Sequence, residues 1–265
     1  ALHKIETPAE AIGEYGTIDY IALGCADHNY EYKKVSAPAG EAAFQYVVYA
    51  IKLAMDHQID AIVTGPLNKE SMNLAGHHYS GHTEILADYT HTDKFAMLLA
   101  SKNLRVIHVN THVSMDEVCK RITKERVYNT ICLAQEGMRL LGHSHPKIAV
   151  AGFNAHSSEN GLFGHQEADA IIPAIEKARA AGMDVDGPIP PDTVFVKALS
   201  GQYDIVVAMY HDQGHIPLKL AGFKLDHATG KYTSMSGINC TIGLPIIRTS
   251  VDHGTAFGKA GEGRA

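Results

Sequence analysis

The chain reads as an α/β protein with a largely parallel sheet, and three observations carry that expectation. Short β-rich runs alternate with longer amphipathic segments over most of the 265 residues, the pattern of strand–helix units. The run at residues 204–209 is almost continuously apolar, as a strand buried on both faces should be. Three such runs, at 104–109, 147–153 and 203–209, each stop among small and polar residues that include a histidine.

Taken in order, residues 40–57 carry Ala43, Phe44, Val47, Val48, Ile51 and Ala54 at the spacing of a helix with one buried stripe. Residues 59–64 form a strand that ends at the turn signal Gly65-Pro66. Residues 95–100 and 104–109 make two strands around Ser101-Lys102-Asn103. Residues 116–141 are expected to be helical throughout, stopped by Gly142, and 166–181 form a further helix with Gly182 as its C-cap. Strands at 147–152 and 204–209 complete the alternation. The polar, turn-rich residues 224–236 form an excursion or hairpin between the helix carrying Lys219 and a strand near Ile238.

Composition excludes several classes. A hydrophobic content of 45% with 20% charged residues is that of an ordinary globular protein. A net charge of -6 without a basic run gives no footprint for nucleic acid, and no apolar stretch approaches a membrane span. Cys25, Cys119, Cys132 and Cys240 are scattered, so a disulfide framework is not expected and a reducing cytoplasm is the default. Three fingerprints are absent: G-x-G-x-x-G after a strand, G-x-x-x-x-G-K-[ST], and G-x-S-x-G.

The strand-end histidines are His112, His156 and His211, the last beside Asp212. Ligands gather outside the carboxyl ends of strands in open α/β sheets, so three imidazoles delivered there could meet around one divalent metal. With 17 histidines in the chain some follow strands by chance, and the spacings match no short metal motif. Gly81-His82-Thr83-Glu84 precedes a helix. There Thr83 is read as a possible N-cap and the free N–H groups as a phosphate site, with a plain capping turn as the other reading. Arg248 follows the apolar run 244–247 and is placed at a strand end, where a guanidinium suits a carboxylate or phosphate. Lys219 can serve as a point charge or proton carrier.

Asp252-His253-Gly254-Thr255-Ala256, with Ala260-Gly261 beyond, resembles the adenine-side cofactor loop of β-decarboxylating dehydrogenases, which lack the Rossmann glycines. Further blocks run in order from about Thr64. They are Thr64-Gly65-Pro66-Leu67-Asn68-Lys69, Gly81-His82-Thr83-Glu84, Asn154-Ala155-His156, Glu159-Asn160-Gly161-Leu162-Phe163-Gly164, Ala208-Met209-Tyr210-His211-Asp212-Gln213-Gly214, and residues 243–256. Together they resemble the 4-hydroxythreonine-4-phosphate dehydrogenase family of pyridoxal phosphate biosynthesis.

The resemblance implies a two-lobed fold like isocitrate and isopropylmalate dehydrogenases, and a homodimer with its active site near the subunit interface. It implies NAD(P)-linked oxidation, with decarboxylation, of 4-phosphohydroxy-L-threonine. Related enzymes take 4-phospho-D-threonate, 4-phospho-D-erythronate or aromatic dihydrodiols. Carried over by position, His112, His156 and His211 match ligands of a divalent metal (Zn²⁺, Co²⁺, Mn²⁺ or Mg²⁺). His82, Thr83, Lys219, Asn239 and Arg248 match substrate contacts, and Lys219 with Asp212 is the candidate for proton handling. Ser250, Asp252, His253, Gly254 and Thr255 match the cofactor region, for NAD or NADP. Against the family pattern, the chain is expected to be one catalytic unit of two interleaved lobes without the N-terminal strand and C-terminal helix. It also carries a longer loop at 224–236. A zinc hydrolase and a non-catalytic phosphate-binding protein are the readings from other classes.

Overall fold

The computed structural model of the chain describes residues 1–26, 31–226, 228–235, 237–251 and 254–263. The chain divides into two compact units: Ala1–Asp93, Leu244–Thr249 and His253–Ala265 form the first, Lys94–Gly243 and Ser250–Asp252 the second.

In the first unit, β1 (Leu2–Ile5) pairs in parallel with β2 (Ile18–Ile21); neither strand was expected from the sequence. Then come α1 (Ala37–Met55), β3 (Ala61–Thr64), α2 (Lys69–Leu74) and α3 (His82–Tyr89). Helix α1 starts where the Ser36 hydroxyl accepts from the Ala39 N–H, relieving one of the unpaired donors of a first turn. Its stripe of Phe44, Val47, Val48, Ile51 and Ala54 packs on Ile62, Met72, Ile85 and Leu86. Burial on this scale is worth roughly 1.5–3 kcal/mol per large side chain. Gly40 allows the fit of α1 against α2, since a Cβ there would lie 2.0 Å from the Ser71 carbonyl oxygen.

The second unit holds β4 (Ala96–Ala100), β5 (Arg105–His108), α4 (Met115–Arg121), α5 (Lys124–Leu140), β6 (Ile148–Ala151), α6 (Ile172–Ala180) and β7 (Val185–Ile189). It continues with α7 (Pro191–Leu199), β8 (Ile205–Ala208), α8 (His211–Gly222), β9 (Phe223–Asp226), β10 (Lys231–Met235) and β11 (Ile238–Ile242). Its strands lie in the order β11-β4-β5-β8-β6-β7. The stretch β5-β8-β6-β7 is parallel, and β4 and β11 are added antiparallel. Strand β12 (Ile247–Val251) neighbours β3.

Alternate residues of the parallel strands feed opposite faces, as a pleated strand requires. Ile107, Ile148, Val150, Ile205 and Val207 pack with α5 and α6 through Ile131, Ala134, Met138, Ala174 and Ile175. Val106, Ala149, Ala151, Val206 and Ala208 pack with α7 and α8 through Val194, Phe195, Ala198 and Leu218. Both sheet faces are therefore covered, which is why residues 204–209 lack a polar alternation. Residues 224–236 fall largely in the β9–β10 antiparallel hairpin, as expected.

Several expectations are corrected. Residues 116–141 are two helices, because Ile122 turns extended (φ -79°, ψ 94°) and Thr123 caps α5 by accepting from the Arg126 N–H. Residues 166–181 begin with a π turn over Glu167–Ile171 before α6. Pro173, in the first turn of α6, has no N–H to continue a regular ladder. Thr83 is not a cap: Gly81 holds that place and Thr83 lies in the first turn of α3. Arg248 lies inside β12 rather than beyond a strand. Among the described residues no helix is long and apolar enough to cross a membrane, and all four cysteines are unbridged.

Candidate active site

In the second unit, β5 leads into Asn110-Thr111-His112 and β8 into Tyr210-His211. Because β5 and β8 are parallel neighbours, their ends bring two imidazoles together: His112 and His211 stand 5.7 Å apart, centroid to centroid. They line a pocket of about 510 Å³ with Thr111, Ser114, Tyr210 and Asp212. The His211 Nδ1 lies 2.7 Å from the Asp212 carboxylate. An ionised carboxylate only accepts, so Nδ1 carries the proton and Nε2 keeps its lone pair in the neutral ring. That bond also holds the Asp212 carboxyl below the usual carboxylate range, with a smaller contribution from the Lys219 charge.

Beneath His211 lie two histidines that the sequence reading did not single out. The His215 ring stacks on His211 at 3.6 Å and 14°, and its Nδ1–H donates to the His211 carbonyl at 2.9 Å. The His108 ring follows at 4.7 Å from His215 and donates from Nδ1 to the Met97 carbonyl at 3.2 Å. Gly214 permits this approach, since a Cβ there would sit 2.3 Å from His108 Nε2. Burial, with the neighbouring His215, pushes His108 down to about 3; burial and the His211 ring bring His215 to about 4. The sequence signals were available: His215 is one turn after His211 on the same helix face, and His108 shares the inward side of β5 with Val106.

His156 sits in an unusual turn. Residues 156 to 160 all have positive φ, between 44° and 71°, a costly conformation for side chains with a Cβ. Several bonds hold it. The Ser158 hydroxyl donates to the Gly164 carbonyl and accepts from the Gly161 N–H, each at 2.8 Å. Glu167, buried at 2% exposure, accepts from the Phe153 and Asn154 N–H groups at 2.8 and 2.7 Å and from the Asn154 amide at 2.8 Å. His156 itself faces Glu159 at 3.3 Å. Among the described residues no group of three or more His, Cys, Asp or Glu side chains forms a metal cage. The structure brings His112 and His211 together and leaves His156 outside that pair. The pair fits a divalent ion: two imidazoles on one pocket wall, one with its Nδ1 held by a carboxylate.

Lys219 is exposed, eight residues along α8 from His211, or about 12 Å by helix rise. Asn239, on β11 opposite Leu99, has a buried Oδ1 with no hydrogen-bond partner, which suits a donor from a ligand. Ser250 lies on β12. Gly254 and Thr255 precede a short 3-10 turn at Phe257–Lys259. Asp252 and His253 lie outside the described residues.

The first unit has a cationic cluster. Arg248, 4% exposed, donates from Nη2 to the Thr64 hydroxyl at 2.7 Å. His82 opens α3, and burial, then the charges of Arg248 and Lys69, push it down to about 4. A neutral His82, two cations and the unpaired N–H groups of a helix start are an arrangement for an anion. Lys69 was not singled out from the sequence, although it ends the Thr64–Lys69 block.

Two outcomes are expected. The unfolded imidazole titrates near about 6.5, whereas folded His108 resists protonation down to about 3. The unfolded state therefore binds the proton first, and this stability is full above about pH 6.5 and lost as pH falls below it. The urea midpoint should drop from about pH 7.5 to about pH 5, and less steeply in His108→Leu; an unchanged slope in that variant contradicts a buried neutral His108. Glu167→Ala leaves two backbone donors without their acceptor and should cost about 3 kcal/mol in urea unfolding; a cost under about 1 kcal/mol contradicts the clamp.

The whole chain, residues 1–265, matches the family described as "Pyridoxal phosphate biosynthetic protein PdxA". It is 49% identical over 265 residues to the D-threonate 4-phosphate dehydrogenase of Salmonella typhimurium, covering 100% of this chain and 78% of that protein. It is 43% identical over 266 residues to the 4-hydroxythreonine-4-phosphate dehydrogenase of Desulforapulum autotrophicum, covering 100% and 75%. A crystal structure of 4-hydroxythreonine-4-phosphate dehydrogenase from Klebsiella pneumoniae superposes with a TM-score of 0.87 at 46% identity, over 100% of this chain and 77% of that one. With the fold and this likeness over residues 1–265 in agreement, the chain belongs to the PdxA family.

Proposed function

We propose that the chain oxidises the hydroxyl of a small 4-phosphorylated hydroxy acid with NAD or NADP, followed by loss of the carboxyl group as CO₂. The observation that carries this reading is the His112–His211 pair with the His211 tautomer set by Asp212. The Arg248, Lys69 and His82 cluster supports an anionic substrate. D-threonate 4-phosphate is the substrate the likeness favours, because a relative named for it reaches 49% identity. 4-Phosphohydroxy-L-threonine is the second reading, supported by the 43% relative and the Klebsiella pneumoniae structure.

A divalent cation held by His112 and His211 would supply Lewis acidity, and the nicotinamide would accept the hydride; His156, which stands outside that pair here, is the third ligand the family resemblance implies. The chain's residues do the rest. Arg248, His82 and Thr83 hold the anionic groups of the substrate, and Asn239 orients it through a polar contact. The C–H electron pair leaves as hydride while the hydroxyl proton passes to a base, for which Lys219, working with Asp212, is the candidate. The bond to the carboxyl carbon then breaks, and the carbon left with its electron pair takes a proton from the same group. Ser250, Asp252, His253, Gly254 and Thr255 are the proposed cofactor contacts. The protein is proposed to work in the cytoplasm as a homodimer. An exposed apolar strip of Val196, Leu199, Ile216 and Leu220 along α7 and α8 supports a partner surface.

Nicotinamide reduction tests this directly. With Mn²⁺ or Co²⁺ present, D-threonate 4-phosphate, D-erythronate 4-phosphate and 4-phosphohydroxy-L-threonine are offered in parallel. The first should give the highest kcat/KM. Arg248→Lys should lower that value about 100-fold by weakening anion binding. No reduction with any of the three phosphorylated acids contradicts the proposal.

A further inference from the structure

We propose that His215 is a positioning residue for His211: its ring is the platform that holds the His211 imidazole in plane, with His108 as the support beneath. The inference rests on the reading of His211 as a cation ligand and deepens it.

His211 needs two restraints to present Nε2 in one direction. The Asp212 bond fixes where Nδ1 points, but the Asp212 side chain is 70% exposed and leaves the ring free to tilt about that bond. The stack on His215, at 3.6 Å and 14° between planes, removes the tilt. His215 cannot itself swing away. Its Nδ1–H is tied to the His211 carbonyl, its ring meets His108, and His108 is tied to Met97 on β4.

The close fit has a visible cost. His108 Nε2 is buried with no hydrogen-bond partner, and position 214 has room only for glycine. Apolar residues would fill the same space without an orphaned nitrogen, so packing alone does not account for two imidazoles there. A flat ring beneath His211, held by hydrogen bonds at its own edge, does. Partners that orient a metal-bound histidine commonly change metal affinity by about 10–100-fold.

The test is Co²⁺ binding to the metal-free full chain, read by calorimetry and by the visible absorption of the bound ion, in wild type, His215→Leu, His215→Phe and His211→Ala. Phe keeps a ring to stack on; Leu keeps bulk without one. His215→Leu should bind Co²⁺ about 10-fold more weakly with an altered absorption envelope, and His215→Phe within about threefold of wild type with the envelope restored. Thermal unfolding of the metal-free variants shows that each is folded. Wild-type affinity in His215→Leu, or a His215→Phe variant as weak as His215→Leu, overturns the platform. Wild-type Co²⁺ binding in His211→Ala instead overturns the ligand reading on which the inference stands.

Discussion

The Gln213 side chain ties the ends of two parallel strands to the first turn of α8, and the placement of His211 depends on that tie. Its Oε1 accepts from the Met209 N–H at 2.6 Å, just past β8, and its Nε2 donates to the Gly152 carbonyl at 2.8 Å, just past β6. Both backbone groups lie where ladder pairing runs out, and an unmet buried polar group there would cost about 1–3 kcal/mol. One amide meets both and sets the start of α8. His211, Asp212 and His215 all take their places from that start, and Gly214 lets the helix settle onto His108.

The same economy appears around Glu167 and Arg248. Glu167 spends a buried carboxylate on two backbone donors and an amide, and in return a run of five left-handed residues holds one shape. Arg248 is buried beside Thr64, where its charge adds to burial in keeping the His82 imidazole neutral. In each case a charged side chain is taken from water to fix backbone or a neighbour's protonation, which is costly in general and recurs where a site must be preorganised.

Much of this was legible in the sequence. The strand-end positions of His112 and His211 followed from apolar runs that stop, and the β9–β10 hairpin from a polar, turn-rich stretch. The helix break at Ile122-Thr123 was not, because its apolar spacing continues across the break and only the Thr123 cap and the burial of Ile122 decide it. The inward cap reading of Thr83 failed for the opposite reason: Gly81 can adopt an N-cap backbone that competes with a hydroxyl. His108 and His215 were passed over among 17 histidines, since their meaning lies in contacts between a strand and a helix 107 residues apart. β1 and β2 are short and half exposed, so neither shows the alternation that would announce them.

The central claim is that His112 and His211 present their Nε2 atoms to one cation. Anomalous scattering from a crystal grown with Co²⁺ tests it most directly. The account predicts one peak about 2.1 Å from Nε2 of both residues, with the Asp212 carboxylate still on His211 Nδ1. A peak on Nδ1 of either ring, or none near the pair, would contradict it.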